Sequence, residues 1–426
     1  MTFSDNWFII YLSIFLEAKI MRSKQIERIF RETAYVRMGG SAEERQVAEY
    51  IKGICAEFGG EAYFEEFEVD MATVKSAALY IDGKSIPCRG YMNCGSGEIE
   101  AELYYLCEDG KRALSECRGK IVMIDGYLGY WKYQDMLDNG AVGFITYDGN
   151  VNYADRDIDA RELRSYVSNG RKVLGVNINV KDAVDIINKN GKIAKIVVDQ
   201  NEYKGKSQNV LLDLPGESDE TVVFTAHYDS TSLSQGAYDN MSGCVGLLSM
   251  AEYFMKHPHK RSLRFIWCGS EERGLLGSKA YCIDHESELE KTVICINIDM
   301  IGCIMGKFCG ICTSESRLVD YLSYLGDEIG IGISTRQDVY SSDSTPFADK
   351  GVPAVSFARH SPPGTATIHN SYDTKKLIKT DNMQSDIAFI TAFADRMANA
   401  VRCPVDRTIP DNMKQKLDEY LLRKRK

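Results

Sequence analysis

Two imidazoles and a series of carboxylates recur in the second half of the chain at a spacing suited to metal chemistry. His227-Tyr-Asp229, Asp239-Asn240, Glu271-Glu272, Asn297-Ile-Asp299 and finally His369 follow one another in that order. Together they offer two imidazoles, three carboxylates fit to bind metal and one spare carboxylate, the set that a pair of divalent ions and a water-activating base require. Mixed imidazole and carboxylate donors suit zinc, with cobalt or manganese as alternatives, and the lack of thiolate argues against iron-sulfur or copper(I). Each piece alone has a plainer explanation. His-X-Asp is commonly a hydrogen-bonded pair at a strand end, Glu271-Glu272 a helix start, Asp239 a helix cap and Asp299 a turn residue. Jointly the plain explanations fail, because five separate segments each end in a hard or borderline ligand. Of six histidines two fall in these positions, while His257, His259, His285 and His360 show no comparable context and read as structural or exposed.

The elements that must position these residues are legible as apolar runs of strand length. Residues 221–226 end at His227, residues 263–268 stop just before Glu271, and residues 293–296 stop just before Asp299. Each run precedes a helix-like stretch. Strands alternating with helices build an open, mostly parallel α/β sheet whose ligands gather at the carboxyl edge. His227 and His369 can therefore meet around one site.

The segments HYDS (227–230), GAYDNMSG (236–243), SEERGLLGS (270–278), NIDMIG (297–302), SSDSTPFADKGVPAVSF (341–357) and IHNSYDT (368–374) resemble the di-zinc aminopeptidase family, which also contains glutamate carboxypeptidase II and glutaminyl cyclase. The resemblance covers about half the chain, with the motifs in the family's order. It implies the zinc exopeptidase fold, a mixed, mostly parallel central sheet flanked by helices. It further implies that His227 and Asp299 bind one Zn2+, that Glu272 and His369 bind the other, and that Asp239 bridges them. Glu271 matches the general base that takes a proton from the water shared by the ions. Asp229 would orient the His227 imidazole, and the peptide bond after Asp239 is commonly cis in the family. Two positions depart from many relatives: Ser344 follows Ser342-Asp343 where histidine is usual, and Ile368 precedes the last ligand where some relatives carry a carbonyl-polarising tyrosine. Tyr340 resembles the tyrosine used instead, although a packing role is its equal alternative among 24 tyrosines. Arg336, Tyr340 and Arg359 lie in segments suited to substrate selection.

A chain of 426 residues is long for one core and predicts two or three domains. Residues 42–58 carry apolar residues at helical spacing with Gly59-Gly60 as a stop, and residues 61–69 alternate like a strand. From 72 to 202 strand-like runs dominate. Within them, residues 119–126 and 138–147 resemble the protease-associated domain, a non-catalytic module often inserted in this family as a cover over the active-site mouth. The expected organisation is an extra segment 1–20, a discontinuous peptidase domain 21–71 and 204–426, and a β-rich protease-associated insert 72–203. Residues 207–216 resemble the hairpin returning to the peptidase sheet, and residues 411–426 read as one helix with a basic end.

The net charge of -10 is spread along the chain without the basic patch that nucleic acid requires. Residues 7–16 are apolar but too few to span a bilayer, which needs about 20, and they lack the cationic lead of a signal peptide. A start at Met21 would read more naturally into the first helix, so residues 1–20 are expected to lie outside the native product. Thirteen cysteines without framework spacing suit a reducing compartment, and Cys309-Gly-Ile-Cys312 reads as a strand segment rather than a redox motif. The expectation is a cytoplasmic metal-dependent exopeptidase acting on peptides with a free N-terminus, with no membrane or nucleic-acid partner and an open oligomeric state. Carboxypeptidase or glutaminyl cyclase activity on the same scaffold, or a non-catalytic receptor-like binding protein, are the alternatives.

Overall fold

A computed structural model describes residues 21–108, 110–124 and 127–425. The readings made for residues 1–20, for 125–126 in the 119–126 motif and for Lys426 lie outside the described residues.

Burial follows the apolar runs. β8 (Ile193–Leu214), β9 (Ser218–His227), β10 (Arg261–Cys268), β11 (Thr292–Ile298), β12 (Lys307–Thr313), β13 (Ser334–Gln337) and β14 (Ala354–His360) form one sheet in the order β13-β12-β14-β11-β9-β10-β8. Its centre, β14-β11-β9-β10, is parallel, whereas β8 pairs antiparallel with β10 and β12 antiparallel with β14, β13 lying parallel to β12 at the edge. The last six residues of β9 and nearly all of β11 are buried, as expected of parallel strands covered on both faces. One cover is the helix Ser242–Met255, apolar almost all round and buried along nearly its whole length, beside the helix Thr380–Asn399. The helix Ala42–Glu57 joins the same core through Val47, Ile51 and Ile54. Ser41 caps it by accepting the Glu44 amide at 3.1 Å, and the stop comes at Phe58 and Gly59, the latter at φ +94°. Because β9, β10 and β11 run parallel, their carboxyl ends and the loops that follow lie along one edge.

A second apolar core is built from residues between Leu79 and Val198. Its strands are β1 (Tyr63–Ile81), β2 (Lys84–Ile86), β3 (Arg89–Gly90), β4 (Gly97–Leu106), β5 (Ile121–Ile124), β6 (Gly143–Asp148) and β7 (Leu174–Asn179), of which β4-β5-β6-β7 are parallel. Helices Tyr130–Asp138 and Val180–Asn188, passed over in the strand-like reading, lie in the connections β5 to β6 and β7 to β8. The first joins the parallel neighbours β5 and β6, which need such a crossover. β1 runs well past the expected 61–69 because it pairs with β8 from Tyr63 to Ile81, binding the two cores into one ribbon. The expected boundaries fall opposite one another in that ladder, where Ala72 faces Glu202 and Met71 faces Tyr203.

Cys309 and Cys312 sit in β12, buried and free, three residues apart and hence on opposite faces. The helix expected over 411–426 ends at Tyr420. The Arg423 and Lys424 amides close the helix end on the Asp418 carbonyl, and the arginine side chains reach carboxylates elsewhere: Arg423 pairs with Asp349 at 2.5 Å and Arg425 with Asp135 of the second core at 2.5 Å. Paired carboxylates offer charge-assisted bonds that a helix terminus in water does not match.

Candidate metal centre

The carboxyl ends of β9, β10 and β11 open into a cavity of about 1020 Å³ that runs beneath the second core. His227 ends β9, Glu271 and Glu272 follow β10 after a tight turn at Gly269-Ser270, and Asp299 follows β11 with its amide donating to the Phe357 carbonyl at 2.9 Å. Asp239 lies in a kinked turn, Ala237–Met241, whose backbone is non-helical at Asp239 and Asn240 and which leads into the helix Ser242–Met255; the Asp239-Asn240 peptide is cis. His369 comes from residues 361–374, which form no strand or helix, at φ +60°.

These residues fall into two donor triads, His227 with Asp239 and Asp299, and Asp239 with Glu272 and His369, the donor atoms of each lying within 4.8 Å of one another. Asp239 belongs to both. Its Oδ1 is 3.1 Å from His227 Nε2 and its Oδ2 is 3.1 Å from His369 Nε2, which is also 3.1 Å from Glu272 Oε2. Glu272 Oε1 and Asp299 Oδ1 are buried without a hydrogen-bond partner. Buried, orphaned carboxylate oxygens beside imidazoles fit hard or borderline divalent cations, which supply the charge that burial demands. Glu271 belongs to neither triad; its Oε2 stands 3.9 Å from His227 Nε2.

The electrostatics follow from burial and crowding. Burial opposes charge on His227, but the carboxylates of Glu271, Asp229, Asp239 and Asp299 outweigh it and hold the imidazole well above its usual range. The Glu272 carboxylate, against the opposing pull of burial, raises His369 to about 12. Burial pushes Glu271 well above the ordinary carboxyl range, partly offset by His227 and reinforced by Glu272. Asp343 is pushed by burial to about 7, with His227 pulling the other way and Ser278 donating to it at 2.6 Å.

Asp229 does more than face His227 Nδ1 at 3.4 Å. Its two oxygens accept the backbone amides of Glu271 at 2.9 Å and Glu272 at 3.1 Å, so one carboxylate sets the turn from which those adjacent side chains diverge. Tyr340 lines the cavity with its hydroxyl buried and unpartnered, and its ring stacks on His360 at 5.7 Å. His360, read as structural or exposed, therefore also lines the cavity, whereas His257, His259 and His285 do not. Arg336 and Arg359 are absent from that lining. Arg359 is held by Asp386 and the Gly306 carbonyl, and Arg336 is half-exposed on β13 near Asp338.

Several contributors were not visible in the spacing. Arg37, fully buried, donates to the carbonyls of Tyr228, Tyr35, Gln235 and Gly236 and so pins the loop between His227 and Asp239. Glu44 accepts from the amides of Gly40 and Ser270 and from Ser207. Asp373 accepts the amides of Tyr238 at 2.8 Å and Asp239 at 3.1 Å. Only Asp373 carried a signal, four residues beyond His369. The far wall of the cavity comes from the second core and the last helix, through Tyr127, Arg164, Tyr166 and Tyr420.

Aminopeptidase YwaD of Bacillus subtilis (strain 168) is 31% identical over 208 residues, 46% of this chain and 45% of that protein. Leucine aminopeptidase 2 of Trichophyton equinum is 27% identical over 259 residues, 55% of this chain and 48% of that one. The chain thus spans about half the length of these curated relatives. Among solved structures, a zinc aminopeptidase from Bacillus subtilis superposes with a TM-score of 0.75 at 23% identity, covering 91% of this chain and 97% of that one. The aminopeptidase from Aneurinibacillus sp. strain AM-1 does so at 0.73 and 21%, covering 92% and 98%. At such identities the likeness speaks for the fold, a mixed α/β architecture with a large, mostly parallel sheet flanked by helices. The sequence match is narrower: residues 209–394, the stretch that contains both donor triads, match the model of peptidase family M28.

Proposed function

We propose that the protein is a metal-dependent exopeptidase that hydrolyses the N-terminal peptide bond of peptides. The observation that carries this reading is the pair of donor triads joined through Asp239, with Glu271 left outside both. His227, Asp239 and Asp299 would hold one ion and Asp239, Glu272 and His369 a second, zinc being the ion that the donor set suits best. Bound there, paired divalent ions supply Lewis acidity and bring the pKa of a coordinated water toward neutrality. Glu271 takes the proton of the attacking water and returns it to the leaving amine, and burial raises its pKa above the ordinary carboxyl range. Tyr340 lines the cavity with an unpartnered buried hydroxyl and would donate it to the carbonyl oxygen as negative charge develops there. Asp229 keeps Glu271 and Glu272 on one turn.

Residues 72–203 serve, in this reading, as a protease-associated insert that roofs the cavity and limits what enters. The aminopeptidase names of the relatives support peptides with a free N-terminus as substrates. The thirteen free cysteines support a reducing, cytoplasmic setting. Among the described residues no helix is long and apolar enough to cross a membrane.

Aminoacyl fluorogenic substrates assayed beside N-terminally blocked controls, with and without a strong chelator, test the proposal. Cleavage of unblocked substrates, lost with chelator and restored by Zn2+, is expected. Cleavage of blocked substrates alone would transfer the assignment to carboxypeptidase activity, and one metal per chain with cyclisation of N-terminal glutamine to glutaminyl cyclase. Two bound ions without turnover of any substrate would leave a receptor-like binding protein.

A further inference from the structure

The two halves of the metal centre are built differently. His227 and Asp299 stand at the ends of buried central strands and are themselves 1% and 4% exposed. Glu272 and His369 come from irregular loops, and the His369 side chain is 49% exposed. On its inner side the His369 loop is tied by Asp373 to the amides of Tyr238 and Asp239. Its outer side rests on the second core.

One ten-residue stretch of that core, residues 155–164, makes the outer contacts. Asp155 accepts the Tyr372 hydroxyl at 2.5 Å, three residues from His369, and the neighbouring Tyr153 packs its ring on Tyr372 at 4.6 Å. Asp159 accepts the Ser232 hydroxyl at 2.6 Å, and Ser232 in turn accepts the Ala160 amide at 2.7 Å, in the loop after His227. Glu162 forms a nearly dry ion pair with Arg273, the residue after Glu272. Arg164 donates to the backbone carbonyl of Glu272 itself and, at 3.0 Å, to the Tyr166 hydroxyl. A single extended segment therefore touches the loops carrying His227, Glu272 and His369, and touches the last two within three residues of the donor. Ligands held on loops depend on such partners for their orientation, and losing them typically costs about 10- to 100-fold in metal affinity.

We propose that residues 155–164 are positioning residues for the Glu272–His369 half of the site, so that the second core sets the affinity for one ion while the strand ends set the other. The proposal rests on the two-ion reading above. Metal-free protein is titrated with Zn2+ against a chromophoric chelator, comparing wild type, His369→Ala, Arg164→Met and Tyr372→Phe. Wild type should show two affinities, and His369→Ala should abolish one of them. Arg164→Met and Tyr372→Phe should weaken that same one by about 10- to 100-fold and leave the other unchanged. Tyr372 is 43% exposed, so Tyr372→Phe keeps its fold even where Arg164→Met does not. Equal weakening of both affinities, or no change in either in folded Tyr372→Phe protein, overturns the brace. Wild-type protein that binds no Zn2+ overturns the two-ion reading and the brace with it, a result distinguishable from two unaltered affinities.

Discussion

Glu271→Gln separates the base from the ligands. The side chain is nearly isosteric, and Glu271 lies outside both triads, its closest approach to an imidazole donor being 3.9 Å. The turn that carries it is held through backbone amides by Asp229, which the substitution leaves in place. The variant should therefore fold and bind two ions per chain like wild type while losing proton transfer. General-base catalysis contributes about 100- to 10,000-fold, which at about 1.4 kcal/mol per decade amounts to about 3–5.5 kcal/mol of barrier. That loss should appear in kcat, with KM little changed, because the carboxylate acts on the attacking water rather than on bound substrate. Glu272→Gln, one residue away, should instead lose metal before it loses turnover. Metal content by elemental analysis, paired with steady-state kinetics on an aminoacyl fluorogenic substrate, reads both effects. Glu271→Gln with undiminished kcat, or one that loses an ion as Glu272→Gln does, would refute the assignment of roles.

Tyr340→Phe should lower kcat by about 100- to 1,000-fold with metal content intact, as expected for one lost donor to a developing oxyanion, and unchanged turnover would return Tyr340 to a packing role. Asp229→Asn presents an amide donor to one of two backbone N–H groups, so metal affinity should fall by about 10- to 100-fold in chelator competition. Arg37→Met strands buried carbonyls and removes a charge near Asp229 and Asp373, and should destabilise the protein by about 3–5 kcal/mol in urea unfolding. Burial, with the Asp229 charge adding to it, raises Glu44 from 4.5 to about 8 against the pull of its hydrogen-bond donors. The folded state then holds a proton that the unfolded chain releases, so this contribution is fully present below pH 4.5 and is lost as pH rises through about 8. The stability of wild type relative to Glu44→Gln should decline between those limits in denaturant titrations, and a pH-independent difference would exclude the shift.

The donor residues were legible because their signal is local. His227, Glu271-Glu272 and Asp299 each follow a short apolar run, and a run of that length buried on both faces reads as an inner strand whose end meets its neighbours' ends, whereas Asp239 and His369 stand outside such runs. Ala42–Glu57 was equally readable, since its cap, its apolar period and its stop lie within twenty residues. The second core was read as dominated by strands because Val180–Asn188, with three buried positions, is too short for a decisive helical period. His360 escaped notice because nothing beside it in sequence announces that β14 delivers its last residue to the cavity.

Composition and order along the chain determined which groups can bind a metal and that several strand ends must present them together, since ligand chemistry and strand burial are properties of a few adjacent residues. The fold alone decided how those groups are divided, which acid is shared, which is left free, and what leans on the loops from outside. Arg164 and Glu272 are 108 residues apart, and Glu162 and Arg273 are 111 apart. No local pattern encodes such contacts, because they exist only after two separate apolar cores have formed and the β1–β8 ribbon has fixed one over the other.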